Sequence, residues 1–287
     1  SRTACSCSRR SPVGLWSSLP GMMDVPYLAA EYPLRFAPRG SRILWPENTW
    51  HAFDAAVEEL GYRYIETDVQ VSRDGVVVVF HDETLERTTN GTGKVADWDW
   101  EDLATLDAAY TFSPGGEDFP LRGTGVGISR LDDTLERYPD TYFNIDLKAK
   151  GAAWGVAEVI ARTSRHDTVM VGSFSDRKLA RFRRITKGAV ATSAGPQAAM
   201  SMYAASRLGK TVHLAPSAYQ LPPLIRGAAV DGRMVRSVHA ADAQIHVWTI
   251  NEPQEMNPLL DLGVDGIVTD RPDLLNDVEK ERRDAQG

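Results

Sequence analysis

The sequence predicts a parallel (β/α)8 barrel, the TIM fold, with a small insertion after its second strand. Three observations carry that reading. From Leu34 onward, short apolar runs alternate with helical patterns, as βα units do. Eight such runs follow one another, and eight parallel strands with intervening helices close a barrel of roughly 250 residues, which suits a chain of 287. A doubly wound open sheet is the alternative on pattern alone, but no Gly-x-Gly-x-x-Gly follows the first run to support it.

Leu34-Arg35-Phe36-Ala37 reads as the first strand. A helix is predicted over about 49–60: Trp50, Phe53, Val57 and Leu60 recur on one face, Asn48 or Thr49 caps the start, and Gly61 suits the stop. Tyr64–Val71 is the second strand. Ser72-Arg73-Asp74-Gly75 signals a turn so short that Val76–Phe80 must return antiparallel, as a hairpin. Residues 82–131 lack barrel periodicity and carry Asn90-Gly91, Gly93 and Pro114-Gly115-Gly116, so they read as the insertion, lying over the top of the barrel. Its Trp98, Trp100, Tyr110 and Phe112 either shape substrate access as a cap or form the insertion's own small core. The remaining strands are expected at Tyr142–Lys148, Val169–Ser173, Ala189–Ser193, Val212–Ala215, Ile245–Ile250 and Gly266–Thr269. Helices are expected at Ala153–Arg162, Arg177–Ile185 and Gln197–Leu208. The barrel would occupy residues 24–287.

Residues 1–23 differ from the rest, being rich in Ser, Arg, Cys and Pro without any period. They read as a disordered extension ahead of a cytoplasmic enzyme, because Pro12, Gly14, Ser17 and Ser18 break the apolar core that a secretion signal needs. Cys5 and Cys7 stand too close for a structural disulfide or a zinc site. No apolar stretch reaches the roughly 18 residues of a transmembrane segment. The net charge of −7 argues against a nucleic-acid partner, whose phosphates recruit clustered Lys and Arg. Oligomeric state is left open.

Active sites of such barrels sit at the C-terminal ends of the strands. The two-residue period of a strand puts Glu66 and Asp68 on one face, where two buried carboxylates repel each other unless a cation or proton intervenes. A bound metal and an Arg or solvent partner explain the pair equally well. If Val71 pairs with Val76, the hairpin returns His81 opposite position 66, where a histidine beside two carboxylates can serve as general acid or base. Asn144, Asp146 and Lys148 share one face of a later strand. Glu66, Asp68 and Asp146 together make a hard-cation site for Mg²⁺ or Ca²⁺, with Lys148 free to neutralise a phosphate oxygen; a buried Asp146–Lys148 ion pair is the alternative.

Ala37-Pro38-Arg39-Gly40, Pro46-Glu47-Asn48-Thr49, Glu66-Thr67-Asp68-Val69, Asp74-Gly75 with His81-Asp82, Arg87-Thr88-Thr89-Asn90-Gly91, and Asn144 to Lys148 resemble the glycerophosphodiester phosphodiesterase family. So does the ending, Val247-Trp248-Thr249-Ile250-Asn251 followed by Gly263 to Pro272. The resemblance runs from Leu34 to Pro272 in the family's order. It implies a TIM barrel that hydrolyses glycerophosphodiesters to an alcohol and sn-glycerol 3-phosphate with a divalent cation. The family's metal ligands correspond to Glu66, Asp68 and Asp146, the last more often Glu, and its phosphate-binding Arg and Lys to Arg39 and Lys148. Glu47, from the following helix, and Trp248 would support them.

One position departs from the pattern. The family's first strand ends in His-Arg-Gly, whereas this chain has Pro38-Arg39-Gly40. The missing histidine is one of two acid–base partners, and proline has nothing to titrate. General acid–base catalysis typically contributes 10²–10⁴-fold, so His81 alone is expected to leave an impaired phosphodiesterase, or an inactive homologue that still binds metal and phosphodiester. None of the other histidines has a matching context: His51 lies on the helix after the first strand, and His246 opens a late strand at the wrong end of the barrel.

Overall fold

The computed structural model describes residues 25–29, 32–225 and 228–285. The extension 1–23, with Cys5 and Cys7, lies outside the described residues. β1 (Leu34–Pro38) leads through α1 (Trp50–Asp54) to β2 (Tyr64–Val71), which turns back as β3 (Val77–Val79). A long connection holding α2 (Trp100–Leu103) reaches β4 (Ser129–Arg130) and α3 (Leu131–Arg137). Next come β5 (Tyr142–Leu147), α4 (Ala152–Arg162), β6 (Val169–Gly172), α5 (Asp176–Thr186), β7 (Ala191–Thr192) and α6 (Pro196–Arg207). β8 (Ala218–Leu221) precedes a small hairpin, β9 (Leu224–Ile225) and β10 (Ala228–Ala229), and then α7 (Gly232–His239). β11 (Gln244–Val247), α8 (Pro253–Leu262), β12 (Gly266–Val268) and α9 (Pro272–Asp284) complete the chain.

Eight parallel strands run in the order β7-β6-β5-β2-β1-β12-β11-β8. The ring closes between its two ends through a single parallel bridge, Ser193 to Ala218, flanked by Ala194 N donating to Ala218 O at 2.8 Å and Ser217 N to Thr192 O at 2.9 Å. The predicted barrel is therefore present. Among the described residues, no helix is long and apolar enough to cross a membrane.

Three details of the sequence reading need correction. Val212–Ala215 is not a strand: His213, Leu214 and Ala215 are exposed, and the strand lies at Ala218–Leu221. The hairpin register is shifted by one, with Val71 opposite Val77 rather than Val76. Its turn takes up Val76, since Ser72 N donates to Val76 O at 2.9 Å and Val76 N returns a bond to Ser72 Oγ at 2.8 Å. The helix after β1 holds α geometry only to Asp54 and continues as a π turn over Ala55–Glu59.

Packing explains why the barrel opens at one end only. One apolar layer joins β2, β5 and β6 to α1 and α3–α5, and a second joins β8, β11 and β12 to α6–α9. A third cluster, built on Tyr27, Leu28, Leu34, Phe36 and Tyr64, fills the N-terminal end of the strands. There Tyr64 Oη donates to Tyr27 O at 2.6 Å and the Tyr64 and Tyr142 rings stack at 4.8 Å. Each such buried aromatic contributes about 1.5–3 kcal/mol of apolar burial. The polar ends of the strands are left facing the other way.

The insertion has its own core, with Leu85, Val95, Leu103, Leu106 and Ile128 packed on Val78 and Phe80, and Trp98 and Trp100 against them. Tyr110 is exposed and Phe112 half-buried, outside that cluster. No residue of 82–131 is among those that line the cleft described below, and Trp98 and Trp100 of the insertion pack into its own core.

Candidate active site

At the C-terminal end of β1 the chain makes a forced turn. Arg39 has φ +55°, Gly40 φ +79° and Asn48 φ +58°. A Cβ on Gly40 would meet Ala52 Cβ at 2.6 Å, so only glycine lets the turn press onto α1. Arg39 N donates to Glu66 O at 2.6 Å, which fixes the turn to β2. Thr49 caps α1, its Oγ1 accepting from Ala52 N at 3.2 Å. Asn48 then points back, Nδ2 donating to Asp68 Oδ2 at 3.1 Å while its Oδ1 accepts from Thr67 Oγ1 at 2.7 Å.

The pairing of β2 with β5 sets Glu66 opposite Asn144 and Asp68 opposite Asp146. Two rows of polar side chains thus face one cleft of about 580 Å³, lined also by Pro38, Arg39, His81, Lys148 and Trp248. Asp68 is buried to 1% exposure between two cations: Arg39 Nε lies 2.9 Å from Oδ2, and Lys148 Nζ lies 3.1 Å from Oδ1. Lys148 Nζ also meets Asp146 Oδ2 at 2.6 Å. Asp146 Oδ1 and Asn144 Oδ1 are buried without a hydrogen-bond partner.

The charges settle unevenly. Burial, reinforced by Asp68, pushes the Glu66 carboxyl well above the usual carboxylate range. Burial pushes Asp68 the same way, but Arg39 and Lys148, helped by His81 and Asn48, outweigh it and hold Asp68 low. Asp146 is raised, burial prevailing over Lys148. Burial disfavours the Lys148 ammonium, yet Asp68 and Asp146 more than compensate and hold it charged. Glu66, Asp68 and Asp146 fit a hard cation in donor type, and the orphaned Asp146 oxygen is a free acceptor for one. Among the described residues, however, no group of three His, Cys, Asp or Glu side chains stands together as a ready metal site. Arg39 and Lys148 are drawn onto the carboxylates instead.

A second layer supports this one. Glu47, on the loop before α1 and not on the helix itself, accepts from Arg39 NH1 at 2.9 Å and from Arg87 at 2.8 and 2.7 Å. Arg87 also reaches Asp82, whose Oδ1 lies 2.5 Å from His81 Nδ1. The hairpin brings His81 to the cleft despite the shifted register; β3 ends at Val79, and Phe80 N still donates to Asp68 O at 2.9 Å. His51 is exposed. His246 is the third residue of its strand, not the first. Its ring is fully buried in the barrel, Nε2 on Gln244 Oε1 at 2.9 Å and Nδ1 3.5 Å from Gln220 Nε2. Gln220 links this pair to the cleft by accepting from Asn144 Nδ2 at 3.0 Å. The sequence reading missed Gln220 because it placed β8 too early, and it gave no role to Arg87 within its motif.

A model of the glycerophosphoryl diester phosphodiesterase family matches residues 39–274. The chain belongs to this family. The Mycobacterium tuberculosis protein named probable glycerophosphodiester phosphodiesterase 2 is 39% identical to it over 239 residues, 81% of this chain and 85% of that protein. The glycerophosphodiester phosphodiesterase of Bacillus altitudinis is 34% identical over 260 residues, 86% and 98% of the two chains. A solved phosphodiesterase of Oleispira antarctica, in complex with the product sn-glycerol-3-phosphate, has the same fold, with a TM-score of 0.70 at 24% identity over 87% of this chain and 97% of its own. Membership places the chain among phosphodiesterases that split glycerophosphodiesters to release glycerol 3-phosphate.

Proposed function

We propose that the cleft binds a glycerophosphodiester with its phosphate between Arg39 and Lys148 and hydrolyses it to an alcohol and sn-glycerol 3-phosphate. The observation that carries this reading is the convergence of the two cations on Asp68 from opposite sides. One carboxylate holds both at a spacing that a phosphate oxygen pair can bridge. Glu66, Asp68 and Asp146 would hold the divalent cation, Mg²⁺ or Ca²⁺. When bound, it supplies Lewis-acid polarisation of a phosphoryl oxygen. Glu47 orients the Arg39 guanidinium, and Trp248 walls the cleft.

His81 is the acid–base residue, and its Nδ1 contact with Asp82 leaves Nε2 to exchange the proton. Atoms balance if water supplies the hydroxyl to phosphorus and its second proton reaches the departing alkoxide. With Pro38 in place of the partner histidine, one of those two transfers is left to solvent, and turnover is slow. Pro38 favours a second reading, a homologue that binds metal and phosphodiester without hydrolysis. Release of glycerol 3-phosphate from glycerophosphocholine, with and without divalent metal, tests both readings, for this chain beside Pro38→His. Metal-dependent release by either protein supports the assignment. Binding without release in both supports the second reading, and neither binding nor release in either refutes the assignment.

A further inference from the structure

A second cleft, of about 430 Å³, lies between the end of α6 and α7 and shares no lining residue with the one at the barrel mouth. Arg207, Arg233 and Arg236 line it together with Ser206, Thr211 and Ser237, and among the described residues no acidic side chain does. Arg207 is pinned. Its guanidinium lies 5.0 Å from the Tyr203 ring centroid and clamps the Asp231 carboxylate with two nitrogens, at 2.8 and 2.7 Å. That contact holds the Asp231 carboxyl down to about 2, so the two form an ion pair without net charge. Asp231 Oδ1 also caps α7, accepting from Arg233 N and Met234 N at 3.0 Å each, so the helix start is satisfied without any ligand. Arg233 and Arg236 differ from Arg207. Neither guanidinium has a hydrogen bond or an ion pair among the described residues. Gly232 makes room for the second, since a Cβ there would meet Arg236 NH1 at 3.1 Å. Ser237 is 9% exposed and lines the cleft, and its hydroxyl too has no partner among the described residues.

We infer that this cleft is a second ligand site, one for the phosphomonoester group of a small molecule or a lipid headgroup. Charge and donor count both argue for that class. The Arg207–Asp231 pair cancels, so Arg233 and Arg236 leave the cleft doubly positive on a chain whose net charge is −7. A phosphomonoester carries a charge of about −1.5 to −2 at pH 7 and offers three acceptor oxygens. Those suffice for two guanidinium forks and the Ser237 hydroxyl. A phosphodiester or a carboxylate carries a single charge and leaves one arginine unmatched. The reaction proposed above turns a monoanionic diester into a monoester, so its own product belongs to the class. That particular occupant rests on the phosphodiesterase reading, whereas the class does not.

Calorimetry tests this on the full chain and on an Arg233→Gln, Arg236→Gln double variant, with sn-glycerol 3-phosphate and dimethyl phosphate as probes. Both arginines are exposed on α7, so glutamine there keeps the helix, which circular dichroism checks. The barrel mouth is the same in both proteins, and the difference between them therefore reports this cleft. A binding event for sn-glycerol 3-phosphate that the double variant weakens tenfold or more, and that dimethyl phosphate does not give, supports the inference. Sedimentation with phosphatidylcholine vesicles containing phosphatidate separates the two sources. Vesicle binding lost in the double variant, without binding of the free ester here, assigns the site to a lipid headgroup; the reverse pattern assigns it to a soluble monoester. Identical isotherms for the two proteins, with vesicle binding also unchanged, overturn the inference. So does dimethyl phosphate held at this cleft as tightly as the monoester. Hydrolysis is no part of the readout, so failure of the phosphodiesterase reading would show separately, as the absence of glycerol 3-phosphate release.

Discussion

Arg87 grips Glu47 through two nitrogens, at 2.8 and 2.7 Å, and so ties the insertion to the loop that carries Arg39. Its other face holds Asp82, the partner of His81. Arg87 is not among the residues that line the cleft, yet it is tied to Arg39 through Glu47 and to His81 through Asp82. Arg87→Ala is expected to lower kcat about tenfold with KM nearly unchanged, in the manner of lost positioning. Arg87→Lys should rescue little, because a single ammonium cannot hold two carboxylates bidentately. The side chain is about half-exposed, so the stability loss should stay near 1 kcal/mol. Unaltered kcat in Arg87→Ala would remove the positioning role.

Restoring the histidine is the sharpest test of the site. Pro38 pairs with Glu66 and lines the cleft, so a side chain placed there enters it. Pro38→His should raise glycerol 3-phosphate release by roughly 10²–10⁴-fold. Equal rates for the two proteins would show that this site does not need the second imidazole.

The barrel was legible because its periodic signals are strong: eight apolar runs, most of them separated by helical patterns. β8 was misplaced for a physical reason. Val212-His213-Leu214-Ala215 alternates like a strand but stands largely in solvent. Ala218-Tyr219-Gln220-Leu221 hides its inward position behind a glutamine that bonds Asn144. The placement of Glu66 and Asp68 on one face of β2, and of Asp146 with Lys148 on one face of β5, followed from strand period. The neutralisation of these carboxylates by Arg39 and Lys148 did not, because it depends on a left-handed turn at Arg39 and on the β2–β5 register. The structure realises the Asp146–Lys148 ion pair that the sequence had left as an alternative.

A divalent cation should compete with those ion pairs and stabilise the fold. At a concentration 100 times its Kd, a ligand that binds only the folded chain adds about 2.7 kcal/mol. Thermal unfolding with Mg²⁺ or Ca²⁺ should show a raised Tm, reversed by chelator and largely lost in Asp146→Asn and Glu66→Gln. A Tm indifferent to both ions would argue against the metal.

His246 predicts a pH dependence unrelated to the cleft carboxylates. Burial drives its imidazole from 6.5 down to about 3. A base depressed in the folded state stabilises the fold above its unfolded pKa; that contribution drains away as pH falls from about 6.5 toward 3, where the unfolded chain takes the proton first. Over that window one such group changes stability by about 1.4 kcal/mol per pH unit. Urea unfolding at pH 7 and pH 5 should therefore show a slope that is shallower by about one proton in His246→Gln. Matching slopes would mean that the ring is protonated within the barrel.

The barrel has a seam. Seven of its joints are ladders, and the eighth, between β7 and β8, hangs on the Ser193–Ala218 bridge and two flanking amide bonds. Ser193 and Ala194 also line the cleft. Local opening starts where the fewest bonds must break, so amide hydrogens there should exchange ahead of those in β2 and β5. The wall built on β2 and β5, which carries Asp68 and Asp146, is thus the stiff side of the molecule, and the wall built on β7 and β8 is its yielding side. A barrel built this way keeps its charged side chains on its rigid half and does its breathing on the other.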